Sequence, residues 1–416
     1  MPAMLSIAQV VDGLHPGMTV FVAGMSGEST AFYQALQARP EKAAGVRFVG
    51  ALFPGINRFD YLGLAADARQ RAYFMQPGLR KGLADGRAEL MPLDYPGIWR
   101  DLGQLSIDLA LVQVSPPDQQ GQCSLGISCD FQAAVFARAG RRIAHVNPLM
   151  PRTAGSFPIR YADLDAVFEA GQALIEYDTG VPGPELAAHA GLVASLVRDG
   201  DTLEFGVGKL QSAILSALGG HRALRVWSGM ASAPLLPLLD RGVVAGRGAV
   251  SIGVALGDAA FYARAGRDET FRFLPVSETH DVRRLAAIDS FCAINSAVEL
   301  DLYGQANADT IKGRQVAGVG GLPAFVAGAL LSKGGRSIIA LPSTTEDGGS
   351  RIVARLAPGC LSALPRQSAD YVVTEHGIAA LRDKSLQQRA HALIGVAAPQ
   401  HRDALAAQWQ DCLAAA

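Results

Sequence analysis

The chain has 416 residues, 49% of them apolar and 18% charged, so it can bury large cores, is not a disordered polymer, and is long enough for two or three domains. A net charge of −1 with no long basic run gives no reason to expect a nucleic acid or another polyanion as partner. No apolar run reaches the ~18 residues of a membrane span, and Met1–Val11 lacks the basic-then-apolar layout of a secretion signal, so a soluble, cytoplasmic protein with no membrane partner is expected.

The pattern begins with a helix over Ile7–Gly13 and a buried strand over Thr19–Ala23. The glycine turn Gly24–Glu28 follows, and Ser29 or Thr30 caps a helix over Ala31–Ala38. Strands are predicted at Val46–Phe53, Leu109–Val114 and Ile143–Val146, with shorter alternating pieces at Ala72–Met75 and Leu90–Pro92 and a helix at Asp130–Ala139. Asp178–Pro184, rich in Gly and Pro, reads as a linker, so the expected domains are residues 1–182 and 186–416.

After the linker the pattern restarts. Arg198-Asp-Gly-Asp-Thr-Leu-Glu-Phe-Gly-Val-Gly208 echoes His15-Pro-Gly-Met-Thr-Val-Phe-Val-Ala-Gly24, which points to a duplicated α/β unit. A strand ending at Ser228-Gly229 precedes a helix over Leu235–Asp240. Further strands are expected at Ala249–Val254, Phe271–Pro275, Ala293–Asp301 and Ser337–Leu341, with Tyr371–Glu375 the last. Gly377–Leu381 and Leu386–Val396 read as helical.

Five cysteines, widely spaced and without a CxxC pair, read as reduced thiols, and no metal is expected. GxxxxGK[ST], GxGxxG with a downstream acid, and GxSxG are all absent, which argues against a P-loop, a dinucleotide site and an α/β-hydrolase. Three strand-to-glycine turns remain: Gly206 and Gly208, the turn at Gly229, and Gly318 with Gly320 and Gly321. In a parallel sheet, strands empty onto one edge where ligands bind, so the three turns are expected to meet at one pocket and to offer backbone N–H groups to a ligand oxygen. Glu204, inside an apolar strand, either pairs structurally or lines that pocket. Glu375 ends a strand on the same edge, Asn295 either donates to a substrate carbonyl or satisfies backbone, and Cys292 reads as a small buried hydrophobe.

These segments together resemble the acetyl-CoA hydrolase/transferase family, in its 4-hydroxybutyrate CoA-transferase-like branch of the class I CoA-transferases. The resemblance rests on Val112-Gln-Val-Ser-Pro-Pro-Asp118 with Cys123-Ser-Leu-Gly-Ile-Ser128, Val146-Asn-Pro-Leu-Met-Pro-Arg-Thr153, Ile294–Leu302 with Gly304-Gln305, Ser332–Thr344, Val373-Thr-Glu-His-Gly377 and Lys384-Ser-Leu386, in collinear order almost end to end. It implies two similar open, mostly parallel α/β domains with an acyl-CoA site between them. It also implies coenzyme A thioesters as substrate and a homo-oligomer.

The family's mechanism is covalent. A glutamate attacks the thioester, and CoA passes through a glutamyl-CoA thioester to a carboxylate acceptor. That glutamate stands in a pattern like His-(Ser/Thr)-Glu-Met, which here reads Trp227-Ser-Gly-Met230, so the resemblance puts Gly229 in the nucleophile's place. The family's Gly-Gly-Gln-x-Asp-Phe-x-Arg-Gly-Ala loop reads Gly320–Ala329, with Leu322, Ala324 and Ala327 replacing polar residues. Three readings follow. The chain transfers an acyl group directly from CoA to water or a non-carboxylate acceptor, with Glu204 or Glu375 as general base and Asn295 at the site. Alternatively, it is an acyl-CoA:carboxylate CoA-transferase with Glu204 as substitute nucleophile. Finally, it is a non-catalytic acyl-CoA-binding subunit that needs a partner protein.

Overall fold

Long runs of buried residues such as Leu109–Val114 suit strands covered on both faces, as parallel sheets are. The computed structural model describes residues 1–155 and 157–414, so the last two residues of the expected second domain lie outside it. It contains two eight-stranded sheets. The first is built from β1 (Ala3–Met4), β2 (Thr19–Val22), β3 (Arg47–Gly50), β4 (Arg69–Ala72), β5 (Ala88–Leu90), β6 (Leu109–Val114), β7 (Arg141–Val146) and β8 (Ala166–Glu169). Their spatial order is β1-β8-β7-β6-β2-β3-β4-β5, and every neighbouring pair is parallel.

The second is built from β9 (Thr202–Phe205), β10 (Arg225–Ser232), β11 (Val250–Leu256), β12 (Phe271–Phe273), β13 (Phe291–Asn295), β14 (Arg336–Ala340), β15 (Tyr371–Thr374) and β16 (Gly377–Ala380), in the order β12-β11-β10-β9-β13-β14-β15-β16. The seven strands β2 to β8 and the seven strands β9 to β15 wind in the same sequence about their first strand. The duplication read from the sequence is therefore a duplicated topology. Each half reverses direction beside its first strand, between β2 and β6 and again between β9 and β13. Crevices at such reversals are where ligands sit in open α/β sheets.

Contacts divide the chain into two units. One holds Met1–Asp178, Gly229–Ala233 and Arg247–Thr279, and the other holds Thr179–Ser228, Pro234–Gly246 and His280–Ala416. In the first unit, alternate residues of β2 enter different cores. Val20 and Val22 pack with Phe32 and Leu36 of the helix Thr30–Gln37, whereas Phe21 packs with Ile98 and Leu102 of the helix Tyr95–Gln104. In the second unit, Ile339, Val372 and Leu393 share one core, and Phe291, Ala293 and Phe325 share another.

Three local expectations are corrected. The strand through Trp227 does not end at Ser228-Gly229; it runs on to Ser232, and the helix begins at Leu236 after a short 3-10 turn. Gly377–Ala380 is a strand, not a helix: Thr374 pairs with Gly377 across the two-residue loop Glu375-His376, and Gly377 takes φ 144°, which favours a hairpin over a four-residue helix. The predicted strand Ala293–Asp301 is broken, with β13 ending at Asn295 and a separate strand at Glu299–Asp301 pairing elsewhere.

Candidate active site

The second unit's reversal lies between β9 and β13. Glu204 on β9 is opposite Ala293 in register, and Asn295 is the last residue of β13. Asn295 Nδ2 donates to Glu204 Oε2 at 2.7 Å, a bond that closes the gap between the two strands at their carboxyl ends. Glu204 is 3% exposed. Burial pushes its carboxyl up to about 8, and the Asn295 bond only partly opposes this. At neutral pH Glu204 is therefore mostly a protonated acid, able to donate a hydrogen bond. Its minor carboxylate form is a stronger base than an ordinary glutamate and can assist, in concert with bond formation, the loss of a proton from an attacking group.

Gly206 and Gly208 follow β9 directly. No heavy atom lies within 4 Å of a Cβ built at Gly206, and Gly208, at φ 122°, leads into the helix Lys209–Ala217. The turn thus sets a helix N-terminus, with its unpaired N–H groups, at the end of the strand that carries Glu204. Gly320, at φ 62°, and Gly318 belong to the loop before the helix Leu322–Leu331. Gly321 answers to packing: a Cβ there would stand 2.4 Å from His280 Nε2. Burial pushes the His280 imidazole down to about 3, so it is neutral, and it lies against Phe325 with ring centroids 4.4 Å apart.

Glu375 is the first residue of the β15–β16 hairpin loop. It accepts from the Ser343 backbone N–H at 3.0 Å and from the Ser343 hydroxyl at 2.5 Å, and His376 Nε2 is 3.6 Å away. Partial burial raises its carboxyl, but the Ser343 donors and His376 outweigh this and hold it below the usual glutamate range. Strands β9, β13, β14 and β15 are successive neighbours. Three inter-strand steps of ~4.8 Å separate the strands of Glu204 and Glu375, and the register sets Glu204 level with Asp370, five residues short of Glu375, so their backbones lie roughly 20 Å apart. The two glutamates do not form a pair; one is held neutral and the other ionised, which separates their chemical roles.

Gly229 sits within β10, buried, and belongs to the first unit, where its carbonyl oxygen stands 3.0 Å from a Cβ built at Gly253. Cys292 is fully buried, and burial pushes its thiol up to about 12, in keeping with a packed hydrophobe. Among the described residues no group of three or more His, Cys, Asp or Glu is placed to hold a metal ion, and no helix is long and apolar enough to cross a membrane.

Sequence reading missed Ser343, whose role depends on a strand neighbour, and two buried acids of the first unit. Burial pushes both Glu28 and Asp130 to about 7. A glutamate inside a glycine turn, Gly27-Glu28-Ser29, was the available signal for the first.

Two similarly wound, mostly parallel α/β halves define the fold class. Family models agree: the acetyl-CoA hydrolase/transferase N-terminal domain matches residues 3–175 and the corresponding C-terminal domain matches residues 257–409. A 4-hydroxybutyrate coenzyme A transferase of Clostridium kluyveri is 32% identical over 97% of this chain and 96% of its own. Among solved structures, RipA from Yersinia pestis superposes with a TM-score of 0.90 at 28% identity, covering 99% of this chain and 97% of its own. A 4-hydroxybutyrate CoA-transferase from Porphyromonas gingivalis gives 0.80 at 30% identity, covering 98% and 97%. The chain belongs to the acetyl-CoA hydrolase/transferase family.

Proposed function

We propose that this protein transfers an acyl group directly from a CoA thioester to water or another non-carboxylate acceptor, without a glutamyl-CoA intermediate. The observation that carries the reading is the Glu204–Asn295 pair at the sheet reversal, with Glu204 raised to about 8 by burial. Glycine at position 229, where the resemblance puts the family's nucleophile, supports it. In this reaction the Glu204 carboxylate takes a proton from the acceptor as the acceptor's oxygen, nitrogen or sulfur bonds to the acyl carbon. The carbon–sulfur bond breaks, and CoA leaves as a thiolate that solvent protonates. Asn295 orients Glu204, and the N–H groups after Gly206 and Gly208 stabilise the developing oxyanion.

A second reading is transfer of CoA between carboxylic acids with Glu204 as nucleophile, favoured by the transferase named among the relatives. A nucleophile must reach the acyl carbon itself, whereas a base can act through one water, and Glu204 is 3% exposed and held by Asn295, which is why the first reading stands ahead. Incubation of the purified chain with acyl-CoAs and with amine, thiol or alcohol acceptors tests both. Acceptor-dependent CoA release with no adduct on Glu204 after borohydride reduction and peptide mass spectrometry is expected. Absence of release with every acyl-CoA tried refutes the first reading, and a reduced Glu204 during turnover replaces it with the second. With Glu204 as the base, the rate rises with pH and levels off above about 8.

A further inference from the structure

The first unit carries a separate reactive arrangement at its own reversal. Strand β2 ends at Val22, the turn Gly24–Glu28 follows, and Ser29 caps the helix Thr30–Gln37, its Oγ accepting from Phe32 N–H at 3.2 Å. The turn is held in a costly shape. Met25 is buried at φ 52°, a conformation that side chains other than glycine's rarely adopt. Asn57 clamps it from both sides: Oδ1 accepts from Met25 N–H at 2.9 Å, and Nδ2 donates to Met25 C=O at 3.1 Å. Asn57 Nδ2 also donates to Glu28 Oε2 at 2.8 Å. Glu28 is 1% exposed, and Tyr61 also hydrogen-bonds its carboxyl.

His145, near the end of β7, faces Ser29. Its Nε2 is 2.8 Å from the Ala170 carbonyl oxygen, which can only accept, so Nε2 carries the proton. Nδ1 is then a bare lone pair, 2.9 Å from Ser29 Oγ, and the Ser29 hydroxyl must donate into it. The imidazole is buried and stacked on Phe168, with centroids 4.8 Å apart and planes 12° apart, so it has one orientation. Burial lowers its pKa, with the Ala170 bond opposing, and keeps the ring in the neutral form a base requires. A hydroxyl hydrogen-bonded to a base, and the base oriented by a third group, are parts of an activated serine; the Phe32 N–H that caps onto Oγ would have to release it as Ser29 attacks.

We propose that Ser29 and His145 form a nucleophile–base dyad that accepts small acyl groups from activated esters or thioesters. Ser29 is 5% exposed, so only small donors are proposed. Ser29 Oγ bonds to the acyl carbon while its proton passes to His145 Nδ1. The ester or thioester bond breaks, and the leaving oxygen or sulfur takes the proton from Nδ1. Water reverses the sequence and frees Ser29. These residues belong to a different unit from Glu204, so this proposal stands or falls apart from the function proposed above.

The test is treatment of the full-length chain with a small alkyl fluorophosphonate, and separately with p-nitrophenyl acetate, followed by mass spectrometry of the peptide containing Ser29. The expected result is a Ser29 adduct that Ser29→Ala abolishes and that forms ~100-fold more slowly in His145→Gln, the usual contribution of a general base. Two results overturn the proposal: no adduct on Ser29 of the folded wild-type chain after prolonged exposure, or an unchanged rate in a His145→Gln variant that melts like wild type. Labelling of the wild-type chain is decisive alone, so a variant that fails to fold leaves the test intact.

Discussion

Glu204→Gln exchanges one carboxyl oxygen for an NH₂ group at almost constant volume and leaves an oxygen to accept from Asn295. Its effect on stability is calculable in sign and scale. The Glu204 carboxyl is raised from 4.5 to about 8, so between those values the native chain keeps a proton that the unfolded chain has released. Stability contributed by this group therefore falls as pH rises through that window and levels off above it. At about 1.4 kcal/mol per pH unit, the cost is on the order of 1 kcal/mol at pH 5.5 and approaches about 5 kcal/mol by pH 8.5. Gln carries no such cost. The stability gap between Glu204→Gln and wild type should widen by about 3 kcal/mol between pH 5.5 and 8.5. Urea unfolding followed by tryptophan fluorescence measures it, since Trp227 and Trp409 both lie in the second unit with Glu204. The comparison is between variant and wild type at each pH, so the titrations of Glu28 and Asp130 cancel. The same substitution should abolish acyl transfer, because an amide cannot take a proton. A gap that does not change with pH, or a variant less stable than wild type at both values, refutes the reasoning that burial holds Glu204 neutral.

Gly229→Glu should introduce CoA transfer between small carboxylic acids if position 229 is the nucleophile's place; an acetate-exchange assay with butyryl-CoA reads it, and no gained activity in a folded variant contradicts that placement. Ser343→Ala removes the hydroxyl donor to Glu375 and should raise that carboxyl toward its ordinary range, yet leave the pH–rate profile unchanged, because Glu375 lies three strands away from Glu204 and five residues further along the sheet. Arg336→Leu strands Asp201, which is 1% exposed in their ion pair, and should destabilise the chain by roughly 3–5 kcal/mol in denaturant titration. Asn57→Ala leaves the Met25 and Phe53 N–H groups without their acceptor and should cost roughly 2–3 kcal/mol, with Met25 relaxing from its left-handed conformation.

The sequence by itself determined the duplicated winding. Alternation of apolar strands, glycine turns and helices is local, and the echo between His15–Gly24 and Arg198–Gly208 survives as two sheets wound in the same order. It also exposed Glu204, because a charge inside an apolar strand is conspicuous in one dimension. Strand ends were less legible. Ser228-Gly229 reads as a stop, yet β10 continues because its second half is backbone of a buried sheet, where a glycine completes the ladder as well as any residue. Gly377–Ala380 reads as helical, yet a strand already in place offered it a hairpin partner. Only the tertiary structure decided the state of each acid and base. Glu204 is neutral because of burial and despite a bond from Asn295, 91 residues away. Glu375 is ionised because Ser343, 32 residues away, donates to it twice. His145 has its lone pair at Nδ1 because the Ala170 carbonyl, 25 residues on, accepts from Nε2–H. Protonation depends on desolvation and on partners brought together by folding, and neither is a property of neighbouring letters in the chain.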